Sequence, residues 1–468
     1  MLTFGGDPKE YETISVKHDP AYTIMLHAID ITKEFIRRNG LILYGGSAID
    51  YALRLRGDKI YPDDAIPDLD FYSPDNVKHA YDLADELYAA GYSEARAINA
   101  LHVETMRVDV QDNHWVADIS YRARANFDKL PYLEFNGLKI IHPLFQRIDL
   151  HNSFSFPYTD PPREVIFARC AKDIARFNLI DKHYPAAAAL AAPIQDETPS
   201  STLSLVKPLT IDLALKRYVF VGDAAYLLYC ELHKKISAQG AQDKADEDIV
   251  GGFKCDVAAK TITFDTTARI VEIVHFDPKQ VVTDVELRQV KKYRRHSSLL
   301  PPRVEGLSRD GLYNVVIYDM RGCLIAINTI TLECGDESIP FRVCNIQYLM
   351  RFYLSLYFAS EDPASREAAM AKYQSLLDMA KENAGGDRRS TGRSEGAFGP
   401  SIITYGSDNI SLSKKIALNR IQVVLGEETP IKTPPNYYPA KNAEHKRGRP
   451  EYNIAEEEMF MESGEPLL

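Results

Sequence analysis

An apolar run, two glycines and an amphipathic stretch, followed one helix and one loop later by a pair of carboxylates, constrain this chain more than any other feature. The run is LILY at 41–44; Gly45, Gly46 and Ser47 follow, and Ala48 to Leu55 then has the spacing of a helix closed by Arg56–Gly57. Asp68–Leu69–Asp70 begins 21 positions after Ser47 and continues into Phe71–Tyr72, a strand pattern. A glycine turn between strand and helix exposes backbone N–H groups at the positive end of the helix, a place for phosphate, and Ser47 can add a hydroxyl. Two carboxylates at i and i+2 of a strand leave from one face, so Asp68 and Asp70 can share hard cations such as Mg²⁺. Asp118, bracketed by Val116 and Ile119, can complete a three-carboxylate set, with Asp109 as the competing third ligand. Two cations about 3.5–4 Å apart would activate an attacking hydroxyl and stabilise a leaving pyrophosphate. Tyr405–Gly406–Ser407–Asp408 and Asp246–Glu247–Asp248 copy the two halves of the pattern without its surroundings.

The organisation suits an α+β fold. Asp19–Pro20 starts a helix with Ile24, Ala28, Ile31 and Phe35 on one face and Asn39–Gly40 at its end. Ser73–Pro74 caps another that runs to Gly91, and HVETMRVDV and HWVADIS read as a hairpin turning at Gln111–Asp112–Asn113. The expected division is a catalytic domain at 1–185, a linker rich in Ala, Pro, Ser and Thr at 186–208, a C-terminal α+β domain at 209–440 and a charged, disordered tail at 441–468, with an exposed loop at 384–400. Residues 43–52 can be laid on 219–228, pairing Gly46 with Gly222 and Ala48 with Ala224, so the C-terminal domain is a candidate degenerate copy of the first. No Asp-x-Asp strand follows Gly222 within 40 residues except on Asp246–Glu247–Asp248, which sits in a polar charged run, and such a copy would have lost its metal ligands.

Composition excludes some classes. With 55 Lys and Arg against 66 Asp and Glu, a net charge of −11, the chain is no polybasic nucleic-acid coat. The acidity is concentrated: residues 41–120 hold 6 basic and 15 acidic side chains, whereas 121–182 hold 10 basic and 7 acidic. The six cysteines form neither CxxC pairs nor cysteine–histidine clusters, which argues against zinc and against a disulfide framework. No run approaches the ~20 apolar residues of a membrane span, and the start lacks a secretory pattern.

The stretches LILYGGSAIDYALRLRGDKIYP, PDLDFYSP, WVADISYRA, LKIIHPLFQRIDLH, PPREVIFARCAKDIARFNLIDKHYP and PPNYYP make the chain similar to the polymerase β type nucleotidyltransferase superfamily, and within it to the poly(A) polymerase catalytic subunits of large cytoplasmic DNA viruses, the asfarvirus type above all. The resemblance is continuous over most of 40–185 and patchy beyond the linker. It implies an N-terminal nucleotidyltransferase domain of mixed sheet and flanking helices, and template-independent addition of AMP from ATP to mRNA 3′ ends with two Mg²⁺ or Mn²⁺ ions. Asp68 and Asp70 would hold both ions, and Asp118 the ion at the 3′ hydroxyl. Gly45, Gly46 and Ser47 would hold the triphosphate, with cations drawn from Arg147, Arg163, Arg169, Lys172 and Arg176; Arg169, Lys172 and Arg176 share a helical face. It also implies work in the host cytoplasm and the virion, as a homodimer or with a processivity or capping partner. RNA contact has three candidate surfaces: Lys291–Lys292–Tyr293–Arg294–Arg295–His296, Arg388–Arg389, and Lys446–Arg447–Arg449. The rival readings are a non-catalytic RNA-binding scaffold and a terminal transferase with another nucleotide or acceptor.

Overall fold

In the computed structural model, residues 22–189 are described with gaps only at 64, 66–67, 101–103, 112–113 and 156–162; the remaining described residues comprise most of 218–383, 434–450 apart from 446, and short pieces elsewhere. Helix α1 (Tyr22–Arg38) buries Ala28, Ile29, Thr32, Phe35 and Ile36 along one stripe. Gly40, at φ +62°, turns the chain out of it, with the Leu41 amide donating back to the Ile36 carbonyl at 3.0 Å.

The first sheet uses β1 (Ile42–Tyr44), β2 (Leu69–Ser73), β3 (Arg96–Asn99), β4 (Thr105–Gln111), β5 (His114–Tyr121), β6 (Tyr132–Phe135) and β7 (Leu138–Ile141) in the order β3-β4-β5-β2-β1-β7-β6. Strand β2 runs antiparallel to β1 and parallel to β5; β7 runs parallel to β1. Helix α2 (Gly45–Arg54) follows β1, α3 (Asn76–Ala89) follows β2, and α4 (Pro143–Ser155) and α5 (Arg163–His183) follow β7. Helix α2 starts on the glycines themselves, with Tyr44 as its N-cap, earlier than the Ala48 start that side-chain periodicity suggests.

The second half repeats this plan. Its elements are β8 (Val219–Phe220), α6 (Gly222–Gly240), β9 (Ile270–His275), α7 (Pro278–Asp284), β10 (Arg288–Tyr293), β11 (Arg303–Leu307), β12 (Asn314–Asp319), β13 (Ile327–Cys334), β14 (Glu337–Cys344), α8 (Ile346–Ala359) and α9 (Pro363–Asn383). Its sheet order is β13-β14-β8-β9-β12-β11-β10, edged by Glu465–Pro466, and each neighbouring pair has the direction of its counterpart in the first sheet. The fold class is therefore α+β, with the second half a structural copy of the first. The register differs by one from the sequence echo: Gly222, at φ +63°, matches Gly45, at φ +71°, rather than Gly46. The second strand of the copy lies beyond the 40-residue window because Phe253–Asp256 and Thr261–Asp265 intervene, two strands of a separate three-stranded sheet whose third strand, Ser204–Val206, precedes Gly222. Ser204–Val206 thus forms structure inside the expected linker.

The halves meet through equivalent helices, α4 against α8, and share one apolar core. The expected disordered tail is corrected at its start. Tyr437 exchanges both backbone hydrogen bonds with Ala97 at 2.8 and 2.9 Å, covering the edge of β3; α10 (Pro439–Glu444) follows, and Arg449 pairs with Asp82 and Asp85. Asp246–Glu247–Asp248, Tyr405–Asp408, Arg388–Arg389 and Arg294–His296 lie outside the described residues.

Candidate active site

Strand pairing builds the acidic cleft. Asp70 lies beside Asp118 in the parallel β2–β5 register and beside Tyr44 in the antiparallel β1–β2 register, so the β1 turn, Asp70 and Asp118 stand side by side on one face. Asp68, just before β2, reaches solvent at the cleft rim. The Asp70 carboxyl is held well above the usual carboxylate range, first by burial and then by Asp68 and Asp118, against the pull of Arg176 and Arg107. Asp68 is raised by desolvation and then by Asp118, opposed by Arg107 and Lys172. Asp109 is not part of this set: a register shift after Val108 leaves it fully buried, and the Arg96 Nε donates to both its oxygens at 2.8 and 3.0 Å.

Around Gly45 and Gly46 the backbone must come close. A Cβ on Gly45 would collide with the Asp70 carboxylate, besides being strained at φ +71°, and one on Gly46 would collide with the Tyr61 hydroxyl and lie 3.2 Å from Arg176 Nη2. Tyr61 is brought there by Asp50, buried on α2, whose Oδ1 accepts the Ile60 and Tyr61 amides at 2.8 and 2.9 Å. Arg176 Nη2 donates to Tyr61 Oη at 2.7 Å. Lys172 and Arg176, one turn apart on α5, thus set positive charge against Asp68 and Asp70. The Gly45 amide donates to Gln146 Oε1 at 3.2 Å, and the Ser47 hydroxyl donates to the Asp68 carbonyl at 2.7 Å, so Ser47 stitches the glycine turn to the loop before β2.

Two expectations need correction. Arg147 does not face the cleft: it is 0% exposed at the seam between the halves, where Nη2 lies 3.0 Å from Asp181 and donates to the Tyr184 carbonyl at 2.8 Å, and Nη1 donates to Tyr373 Oη at 3.1 Å. Its position on α4, packed against α8, leaves it no access to a triphosphate. Arg449 is likewise committed to Asp82 and Asp85. The Arg163 and Arg169 side chains lie outside the described residues.

Sequence reasoning missed Arg107, whose Nε and Nη2 grip Asp118 Oδ1 and Oδ2 at 2.7 and 2.6 Å. The hairpin pointed close to it: a turn centred on Asp112 puts Arg107 opposite Ala117, and the register shifts at Asp109 bring it opposite Asp118. Tyr61 had no such signal, since a loop carries it.

Among the described residues, no group of three His, Cys, Asp or Glu is drawn together tightly enough to hold a metal as it stands. The donor chemistry nevertheless fits a hard divalent cation: Asp68, Asp70 and Asp118 offer only oxygen, and Asp68 and Asp70 are held above the usual carboxylate range, by burial and then by neighbouring carboxylates, in a way such a cation would relieve. No described helix is long and apolar enough to cross a membrane.

A family model described as poly(A) polymerase catalytic subunit matches residues 30–160. The protein assigned as that subunit in an African swine fever virus tick isolate from Malawi is 33% identical over 375 residues, covering 79% of this chain and 73% of the relative. Its assigned counterpart in Acanthamoeba polyphaga mimivirus is 30% identical over 159 residues, 34% of this chain and 26% of that protein. The crystal structure of the Megavirus polyadenylate synthase aligns with a TM-score of 0.62 and 18% identity, over 93% of this chain and 83% of that one.

Proposed function

The chain belongs to the viral poly(A) polymerase catalytic subunit family, a family of nucleotidyltransferases, and from that premise we propose that it adds AMP from ATP, without a template, to the 3′ end of mRNA. The observation that carries the reading is the convergence of Asp68, Asp70 and Asp118 on one face beside a glycine turn and the cations Lys172 and Arg176. The acceptor 3′ oxygen forms a bond to the α-phosphorus, the bond from that phosphorus to the α,β-bridging oxygen breaks, and pyrophosphate leaves with the electron pair.

In this scheme Asp68 and Asp70 would hold two divalent ions, Mg²⁺ or Mn²⁺, and Asp118 one of them. Bound there, the ions would lower the pKa of the 3′ hydroxyl and neutralise charge on the leaving group. Arg176, steadied by Tyr61 where that ring stands over Gly46, and Lys172 would bind the triphosphate. Asp118 would orient the 3′ hydroxyl and take up its proton, which requires Arg107 to release at least one carboxylate oxygen. The proposal includes action in the host cytoplasm, with a second subunit or a second copy of the chain.

Purified protein supplied with a labelled RNA primer, Mg²⁺ or Mn²⁺ and each nucleoside triphosphate separately should build long tails from ATP alone. Equal use of all four nucleotides would contradict the poly(A) reading, and no extension by well-folded protein would favour a scaffold.

A further inference from the structure

The chain has a single tryptophan, and it is not in a core. Trp115 lies on β5, three residues before Asp118, and is 44% exposed, although burying an indole is among the larger hydrophobic gains open to a fold. The Arg107 guanidinium carbon sits 4.1 Å from the ring centroid. The same guanidinium holds Asp118 through two hydrogen bonds at 2.6 and 2.7 Å. Indole, guanidinium and carboxylate therefore form one connected unit that runs from open surface to the acid nearest the proposed reacting hydroxyl.

Sheet order decides which substrate this unit faces. In β4-β5-β2-β1, Asp70 is central; the glycine turn lies on its β1 side, and Asp118, Arg107 and Trp115 lie on its β5 and β4 side. Tyr61 and Arg176 close over Gly46 on the β1 side. A triphosphate drawn to that side leaves the Trp115 side to the strand that supplies the hydroxyl. A flat, exposed π-face with a guanidinium on it is suited to stack a base of a single strand, because every base offers a π-face and arginine adds a cation–π contribution.

We propose that Trp115 is the stacking platform for a base at or next to the 3′ end of the acceptor RNA, and that Arg107 links this platform to Asp118. The inference rests on the function proposed above and deepens it by assigning the acceptor side of the cleft. Arg107 lies over one face of the indole, and the base stacks on the other.

The lone tryptophan is its own probe. Full-length protein, without ATP and with EDTA present, is titrated with a labelled single-stranded oligoribonucleotide while indole fluorescence and label anisotropy are followed together. Both signals should change with the same midpoint. Trp115→Ala should weaken RNA binding and raise the primer KM by about 5- to 100-fold with the ATP KM unchanged, and Trp115→Phe should recover most of the loss. RNA that binds and is extended while the indole stays silent would overturn this inference alone. So would a Trp115→Ala protein that loses kcat at unchanged RNA affinity, which would make Trp115 a brace for Arg107, or one that keeps both, which would leave the indole to a protein partner. Wild-type protein that binds no RNA would overturn it together with the function it rests on.

Discussion

The two halves of this chain share strand order, strand direction and the order of the helices that follow the strands, and each begins the helix after its first strand on a left-handed glycine set against an acidic side chain, Asp70 behind Gly45 and Glu272 behind Gly222. They differ in what surrounds that acid. Beside Asp70 stands Asp118; beside Glu272 the same register places Val316, and the position two before Glu272 is Ile270 where the first half has Asp68. The C-terminal acids are answered within the protein: Tyr318 Oη donates to Glu272 at 3.0 Å, and Asp223 accepts from Lys372 at 2.6 Å and from Tyr353 at 2.9 Å. One architecture thus serves two ends. A set of neighbouring carboxylates in which Asp68 and Asp70 are raised by burial and by the acids beside them suits a site that binds cations, whereas an acid satisfied by tyrosine and lysine suits a framework that holds the other half in place.

The joint between the halves is where the comparison breaks with the largest effect. Arg147 is fully buried among groups from both, so Arg147→Ala should empty a buried site, strip the Tyr184 carbonyl of its donor, leave Asp181 to Lys381 and Tyr373 to His151, and cost about 3–5 kcal/mol of stability. Any folded fraction should keep its ATP KM, a result that calorimetry and kinetics together can check. A raised ATP KM with normal stability would instead return Arg147 to the cleft.

A smaller effect separates the two acids by pH. Burial, with Asp223 adding, pushes Glu272 up to about 7 from its ordinary 4.5. Because the folded value is raised, the stability this group contributes is full below its unfolded value and is lost as pH rises through about 7. Glu272→Gln should therefore raise stability at pH 8 by up to about 3 kcal/mol and change little at pH 4, read from denaturant unfolding at the two pH values. The same stability at both would deny the buried acid.

Least in size is the C-terminal strap, which belongs to neither sheet. Tyr437 packs on Tyr81, with ring centroids 4.9 Å apart, and donates to Asp85 at 2.7 Å. Tyr437→Ala should cost about 1–2 kcal/mol and speed exchange of the Ala97 amide, with catalysis within a few-fold of wild type. Unchanged exchange would mean that the strap does not guard the edge of β3.

Local patterns made the first half readable. Strand, glycine turn, helix and the Asp68–Asp70 spacing depend on neighbours in sequence, and strand register sets Asp70 beside Tyr44 and Asp118. What could not be read depends on distant partners. Arg147 looks like any cation on a helix until Tyr373, 226 positions away, covers it. Tyr61 reaches Gly46 only because Asp50 orders its loop, and the second half hid its register because two inserted strands separate Gly222 from β9. The tail composition suggested disorder, but charge says nothing about Asp82 and Asp85 waiting on α3 for Arg449.

The claim that one half reacts and the other supports is tested most directly by placing the same amide in both. In a labelled RNA extension assay with ATP and Mg²⁺, Asp70→Asn should lower the rate by about 10³-fold or more while still binding RNA, and Glu272→Gln should stay within a few-fold of wild type. Equal losses in the two variants, or full activity in Asp70→Asn, would contradict the account.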